Sequence, residues 1–276
     1  MSKERFPSDY GHQGTFDYAH YIDSAAPRRG LFREECQFYH TIDLPKVGLI
    51  TGDGGGKWDL RPHISDLLKN VPLDGKSILE VGPGSGFLTR EMEQRGANVT
   101  SVEAPFEHHW DIIPFPGCRE RWGRAAQEAW TLCTNSWWFT HEHAQLVAKM
   151  IYLSANDVRP EKVGKHDVSL MSNMLLHNRD PLRIITNCAD CAEETVVIIE
   201  QFNHDLEQID QPLCRLDPIV NPKPGEENWN VWWRFNKKFF VNFLRIMGFV
   251  RFESHDYNVN WGEVPIPTFT LVAHRS

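Results

Sequence analysis

Apolar positions along the chain change period in a regular way. Ser77 to Val81, Met150 to Ala155 and Asp167 to Met171 are short apolar runs that read as strands. Thr195 to Gln201 is continuously apolar and β-branched, the mark of a strand buried on both faces. Between these runs the spacing turns helical, over Phe87 to Gln94, Leu182 to Ala192 and Lys237 to Met247. In the last helix Phe240, Phe243 and Leu244 share one face, Asn236 is a suitable N-cap, and Gly248 ends it. Pro62 is placed to open a helix carrying Ile64, Leu67 and Leu68, and Pro181 opens the one after the fourth strand. Gly96 to Glu103 reads as helix end, turn and second strand, while Phe249 to Ser254 and Pro267 to Ala273 close the chain as two more. Strand and helix alternate, which predicts an α/β doubly wound sheet with ligands at the C-terminal ends of its strands.

Two regions stand apart from this alternation. Residues 1–59 form an N-terminal arm and cap segment ahead of a domain over 60–276. Residues 1–35 lack a sustained period and are expected to lie on the body of the protein or on a neighbouring subunit, which is compatible with a homodimer. Gln37 to Pro45 reads as extended chain stopped by Pro45, and Gly48 to Gly56 as a turn-rich loop. Residues 104–148 exceed what a plain crossover needs, so they form an insertion. It holds Trp110, Trp122, Trp130, Trp137 and Trp138, with helical spacing from Ser136 to Met150; these rings could line a pocket or anchor the core.

Bulk properties narrow the function classes. With 276 residues and 41% hydrophobic composition, the chain suffices for one large domain with additions. A net charge of −8 offers no basic field for a polyanion, which disfavours nucleic acid as the main partner. Six scattered cysteines lack the density of a disulfide scaffold and point to a reduced, cytoplasmic setting. No apolar run approaches the roughly 18 residues of a membrane span, and Met1 to Gly14 lacks a secretory h-region.

Candidate chemistry centres on Glu80-x-Gly82-x-Gly84-x-Gly86, between the first strand and the helix opened by Phe87. A dinucleotide fingerprint would place its third glycine where Phe87 stands. Glu80 would oppose a pyrophosphate but attract a cofactor bearing an ammonium and a sulfonium, as S-adenosylmethionine does. Glu103, about 20 residues beyond the turn at the tip of the second strand, is placed to hold paired ribose hydroxyls. Asn156 and Asp157 at the third strand's tip could meet the adenine, and Phe87 after the glycines and Asn173 in the fourth strand's exit loop join these cofactor contacts. His177, just beyond, is the candidate general base; the competing reading is a structural histidine bonding a backbone carbonyl. Arg179 and Asp180 are expected to cap the following helix. Tyr39, His40, Trp58 and Arg61 from the cap segment are candidates to shape the substrate pocket or contact the cofactor's methionine carboxylate; Trp232 and Arg234 lie before the penultimate helix, on the edge where substrate is expected, where Arg234 would hold an acidic group or form a surface ion pair. No metal is expected: His141 with His143 and His108 with His109 could supply ligands, but the first pair points apart on a helix, and Cys188 and Cys191 lack a second pair and fall in a helix that needs small buried residues.

On residues 77–103, 156–181 and 229–254 the chain resembles the class I S-adenosylmethionine-dependent methyltransferases. That resemblance implies a Rossmann-like, seven-stranded mixed sheet whose last strand is antiparallel and inserted between the fifth and sixth, with S-adenosylmethionine as cofactor. More narrowly, Phe38 to Leu44, Trp58 to Arg61, Leu175 to Pro181 and Trp232 to Asn236 are similar to relatives of the tRNA wobble-uridine carboxymethyltransferase. The tryptophan-arginine-lysine element that holds a carboxylated cofactor in that enzyme is not intact here. With the acidic charge, this favours methyl transfer to an oxygen or nitrogen of a small molecule, such as a specialised metabolite. The alternatives are a tRNA-modifying methyltransferase and a non-catalytic cofactor-binding module.

Overall fold

A computed structural model describes residues 25–52, 56–105, 110–218 and 228–276. Its elements run β1 (Ile42–Leu44), β2 (Gly48–Ile50), α1 (Ile64–Leu67), β3 (Ser77–Val81), α2 (Phe87–Glu93), β4 (Asn98–Glu103), α3 (Cys118–His143) and β5 (Lys149–Tyr152). They continue as α4 (Pro160–Val163), β6 (His166–Ser172), α5 (Pro181–Cys191), β7 (Ala192–Gln201), α6 (His204–Glu207), β8 (Cys214–Leu216), β9 (Trp233–Phe235), α7 (Lys237–Ile246), β10 (Arg251–Trp261) and β11 (Val264–His274).

Seven strands form one sheet in the order β10-β11-β7-β6-β3-β4-β5. The pairs of β3 with β4 and β6, β4 with β5, and β6 with β7 are parallel, while β11 runs antiparallel to both β7 and β10. This is the Rossmann-like mixed sheet with the last strand inserted between the fifth and sixth. Because the chain leaves β3 toward β4 on one side and later returns to β6 on the other, the C-terminal tips of β3 and β6 flank a topological switch point, where such sheets bind ligands. The apolar sequence of the central strands follows from burial: Val196 to Ile199 and Leu170 to Met171 are essentially inaccessible.

Three expectations change. Gly48 to Ile50 is a strand rather than loop, because Lys46 and Gly48 take positive φ (65° and 88°) and fold it back on β1, burying Ile42, Leu44 and Ile50. The insertion helix spans Cys118–His143 instead of Ser136 to Met150. Its first half hides few side chains and so carries no clear apolar stripe, while Gln145 at φ 57° breaks the chain before Met150 joins β5. The β10–β11 hairpin is also longer than the two strands expected, reaching 11 residues in each arm. Residues 1–24 of the arm lie outside the described residues. The rest packs on the body: Ala25 donates to the Met150 carbonyl (2.7 Å) and Gln37 to that of Leu132 (3.0 Å). Among the described residues no helix is long and apolar enough to cross a membrane.

The entries of α5 and α7 carry side-chain caps. Asp180 accepts from Arg183 N at the start of α5 (3.1 Å). Asn236, fully buried, accepts from Phe239 N (3.1 Å) and Leu213 N (3.0 Å) and donates to the Leu206 and Gln211 carbonyls. Its loss would leave several buried backbone groups unpaired, so Asn236→Ala should lower unfolding free energy by roughly 2–4 kcal/mol in urea denaturation; a loss under 0.5 kcal/mol would contradict this account.

Candidate active site

The turn after β3 is clamped from both sides. Gly82, Gly84 and Gly86 all take positive φ (78°, 56° and 82°), a conformation that side chains with a Cβ resist. At Gly86 the demand is also steric, since an added Cβ would lie 3.1 Å from Trp137 Cδ1 and 3.3 Å from Thr140 Cγ2. Thr140 Oγ1 donates to the Ser85 carbonyl (2.9 Å) from α3, while Ser85 Oγ accepts from His40 N (3.3 Å) on the other side. The His40 ring then lies over the turn, with Cε1 3.9 Å from where a Gly84 Cβ would be and its centroid 6.0 Å from that of the buried Phe87. Burial holds the His40 imidazole down to about 3, and its Nδ1 has no partner among the described residues.

Two acids flank this turn in different ways. Glu80, 1% exposed, points beneath it: Thr89 Oγ1 (2.6 Å) and Ser101 Oγ (2.8 Å) both donate to its Oε2. The Trp137 indole donates in turn to Thr89 Oγ1 (3.1 Å). Glu103 ends β4, and its Oε1 accepts from Ala104 N (2.8 Å) and from Trp130 Nε1 (2.9 Å). The Gly84 backbone N–H acts on the same carboxyl, so Glu103 faces the glycine turn. Desolvation raises both carboxyls to about 7 against these hydrogen bonds.

At the tip of β5, Asn156 and Asp157 lie in a single 3₁₀ turn (Ala155–Asp157). There Asn187 Nδ2 binds the Asn156 carbonyl (2.9 Å), and Asp157 pairs with Arg183 (3.4 Å). Asn173, just past β6, holds a strained positive φ of 48°, and its buried Oδ1 has no partner among the described residues. Met174 packs at the glycine turn, its Cβ 3.4 Å from where a Gly82 Cβ would be.

The next turn carries His177 in a 3₁₀ segment (Leu175–His177). His177 Nδ1 lies 2.7 Å from the Asn230 carbonyl. A carbonyl only accepts, so Nδ1 carries the proton and Nε2 keeps its lone pair. Burial, chiefly, and the Arg234 charge lower the imidazole's pKa, although the carbonyl works against them. The structural and the general-base readings of this histidine are therefore not exclusive: the structural bond selects the basic tautomer. A residue with no signal in the sequence beyond its place at a strand end supports the same turn. Glu200, fully buried near the tip of β7, accepts from Gln201 N (2.9 Å) and Leu176 N (3.4 Å), and desolvation raises it to about 8.

Aromatic side chains close the edge around His177. Trp232 N donates to the Leu176 carbonyl (2.8 Å) and its indole to the Asp111 carbonyl, while Ile113 N donates to the Trp229 carbonyl (2.9 Å). Trp122 and Trp229 stack with centroids 5.7 Å apart and planes 10° from parallel. The insertion thus divides its tryptophans: Trp137 and Trp138 are core anchors, whereas Trp130 reaches Glu103 and packs against Trp110, and Trp122 stacks on Trp229. Trp58 is buried against Trp261 (5.5 Å), and Tyr39 lies edge-on to His40 (4.9 Å). Arg61 is tied to Asp59 at 2.6 Å and Arg234 to Asp217 at 2.7 Å, so each has its charge partnered. Arg234 also lines a cleft of about 270 Å³ with Gln201, Phe202 and His204. His108 and His109 lie outside the described residues. Cys188 and Cys191 are buried, with thiols pushed up by desolvation, and among the described residues no metal-ligating cluster forms.

A glycine turn at the switch point of a doubly wound sheet, with an acid on the neighbouring strand tip, defines a nucleotide-cofactor site. The chain belongs to a methyltransferase domain family, whose model matches residues 59–246. No curated protein matches it. Among solved structures, the N-terminal domain of EvdMO1 with SAH bound is similar at TM-score 0.53 and 15% identity, covering 88% of this chain and 93% of that one. The same domain in the presence of SAH and D-fucose gives a TM-score of 0.52 at 15% identity and the same coverage. Magnesium protoporphyrin IX methyltransferase (ChlM) from Synechocystis PCC 6803 with bound SAM gives 0.49 at 14% identity, covering 79% and 78%. At 15% identity the likeness to the EvdMO1 domain is one of fold.

The raised carboxyls have a consequence for stability. Between the unfolded carboxylate range near 4.5 and the folded values of about 7 for Glu80 and Glu103 and about 8 for Glu200, the folded state binds more protons than the unfolded one. Their contribution is complete below pH 4.5 and is lost as pH rises through 7 to 8. Thermal midpoints should therefore fall from pH 6 to pH 9, and Glu200→Gln should flatten that slope; an unchanged slope in the variant would remove Glu200 as its source.

Proposed function

We propose that this protein is an S-adenosylmethionine-dependent methyltransferase that acts on an oxygen or nitrogen of a small-molecule acceptor, with His177 as general base. The observation that carries the reading is the His177 Nδ1 to Asn230 carbonyl bond at 2.7 Å, which leaves Nε2 basic beside the switch point. The residues at the glycine turn fit the cofactor. Asn173 Oδ1 is a buried acceptor lacking a partner among the described residues, suited to an ammonium group, and His40 Nδ1 is a second buried polar atom without a partner there. Glu103 is the acceptor for ribose hydroxyls, and Gly84 allows close backbone approach. Asn156 and Asp157 remain the residues for the adenine edge. Bound there, the cofactor supplies an electrophilic methyl group on a sulfonium.

The chain's own task is then alignment, water exclusion and proton transfer. Alignment contributes up to roughly 7–11 kcal/mol in favourable cases. The aromatic edge formed by Trp229, Trp232 and Trp122 supports water exclusion around His177. His177 Nε2 takes the proton that the acceptor's O–H or N–H releases as its new bond to carbon forms. A neutral imidazole at physiological pH follows from its lowered pKa. The net charge of −8 supports a small acceptor over a polyanion.

The narrower likeness to wobble-uridine carboxymethyltransferase relatives rests on four segments that meet in pairs. Trp58 O accepts from Thr41 N (3.1 Å), and Leu176 O from Trp232 N (2.8 Å). Both pairs border the site, which supports a role for Tyr39, Trp58 and Trp232 in shaping the acceptor pocket. Arg61 and Arg234 are engaged by Asp59 and Asp217, which supports the ion-pair reading of Arg234 over a free clamp for an acidic group.

His177→Ala should lower kcat by about 10²- to 10⁴-fold in a methyl-transfer assay while leaving cofactor affinity within about twofold. In the wild type, kcat should rise with pH through a pKa below 6.5 and be flat above 7. Unchanged kcat in the variant would remove the base assignment, and absence of S-adenosylmethionine binding at millimolar concentration in calorimetry would sink the whole reading.

A further inference from the structure

Resting on the cofactor reading above, we propose that Trp130 is a positioning residue for the cofactor's ribose, its indole N–H holding Glu103 Oε1 so that the carboxylate stands ready at the glycine turn. Glu103 ends β4 and is 5% exposed, so its orientation depends on a few donors. Ala104 N (2.8 Å) and Trp130 Nε1 (2.9 Å) fill both lone pairs of Oε1. Ala104 is the next residue in the chain and would supply its amide in many orientations. Trp130 comes from the middle of α3, 27 positions away, and is itself packed edge-on against Trp110 at 4.9 Å. With Oε1 filled, Oε2 is the oxygen left for a ligand hydroxyl, and the Gly84 amide acts on the same group.

Trp130 also affects the charge of this acid. Burial opposes ionisation of Glu103, and the indole N–H is the largest influence that favours it. Among the described residues the titratable neighbour is Glu80 on β3, a like charge; Tyr152 on β5 is the register partner of Glu103 and accepts a hydrogen bond from Trp138 (2.7 Å). A protonated Glu103 would be a poorer acceptor for a diol. Removing the indole donor should therefore weaken ribose binding most where Glu103 is partly protonated.

The test is calorimetric titration of S-adenosylhomocysteine into the full chain and into Trp130→Phe at pH 6, 7, 8 and 9. Wild-type affinity should rise through a midpoint near 7. Trp130→Phe should bind about 10-fold more weakly at pH 7, with its midpoint moved upward and the gap narrowing at pH 9. Equal affinity, tighter binding, or the same loss at every pH would overturn the proposal, the last because it marks packing alone. Failure of the wild type to bind would instead strike the cofactor reading itself. Should Trp130→Phe not fold, indole emission of the wild type scanned with pH answers the question: a transition near 7 that disappears in Glu103→Gln supports the contact, and a transition unaltered by that change refutes it.

Discussion

The buried carboxylate of Glu80 is the constraint on which the functional edge depends. Taking a carboxyl out of water is costly unless hydrogen bonds compensate, and here the compensation comes from three elements at once. Ser101 reaches it from β4 and Thr89 from α2, and Trp137 of α3 secures Thr89 in turn. Satisfying one acid thereby fixes the spacing of β3, β4, α2 and α3 directly under the glycine turn. The turn inherits that rigidity, because Gly86 leaves room for Trp137 and Thr140, and Thr140 holds the Ser85 carbonyl.

Above this base the strand tips present groups that are easily neutralised. Glu103 and Glu200 are both raised toward or above neutrality by burial, and His40 and His177 are lowered by it. An edge of this kind carries little fixed charge at neutral pH, which keeps the His177 imidazole neutral. The cost falls on stability as pH rises, when the buried acids ionise without a cation paired to them.

Enclosure comes from long-range pairing rather than from a continuous lid element. The insertion and the segment after β8 are joined by the Trp122–Trp229 stack and by backbone bonds from Ile113 to Trp229. Trp232 joins the same pair of segments through Asp111 and also binds Leu176. Packing of this sort can exclude water around His177 while leaving its Nε2 lone pair free of the Asn230 bond.

Features coded by local chemistry were legible in the residues themselves. Buried strands show in their apolar runs, the glycine turn in its spacing, Glu103 in its distance from that turn, and the Asp180 and Asn236 caps in residue type before a helical pattern. Each depends on neighbours a few positions away, so periodicity and propensity are enough. What tertiary structure alone decided involves partners distant in sequence. It divided Trp137 and Trp138 from Trp130, paired Arg61 with Asp59 but Arg234 with Asp217, and folded Gly48–Ile50 onto β1. It also brought Glu200 under the His177 turn and chose the tautomer of His177 through the carbonyl of Asn230, 53 positions away. A hydrogen-bond donor or a buried ring leaves the same local pattern whichever distant group receives it, and only the packed fold selects the partner.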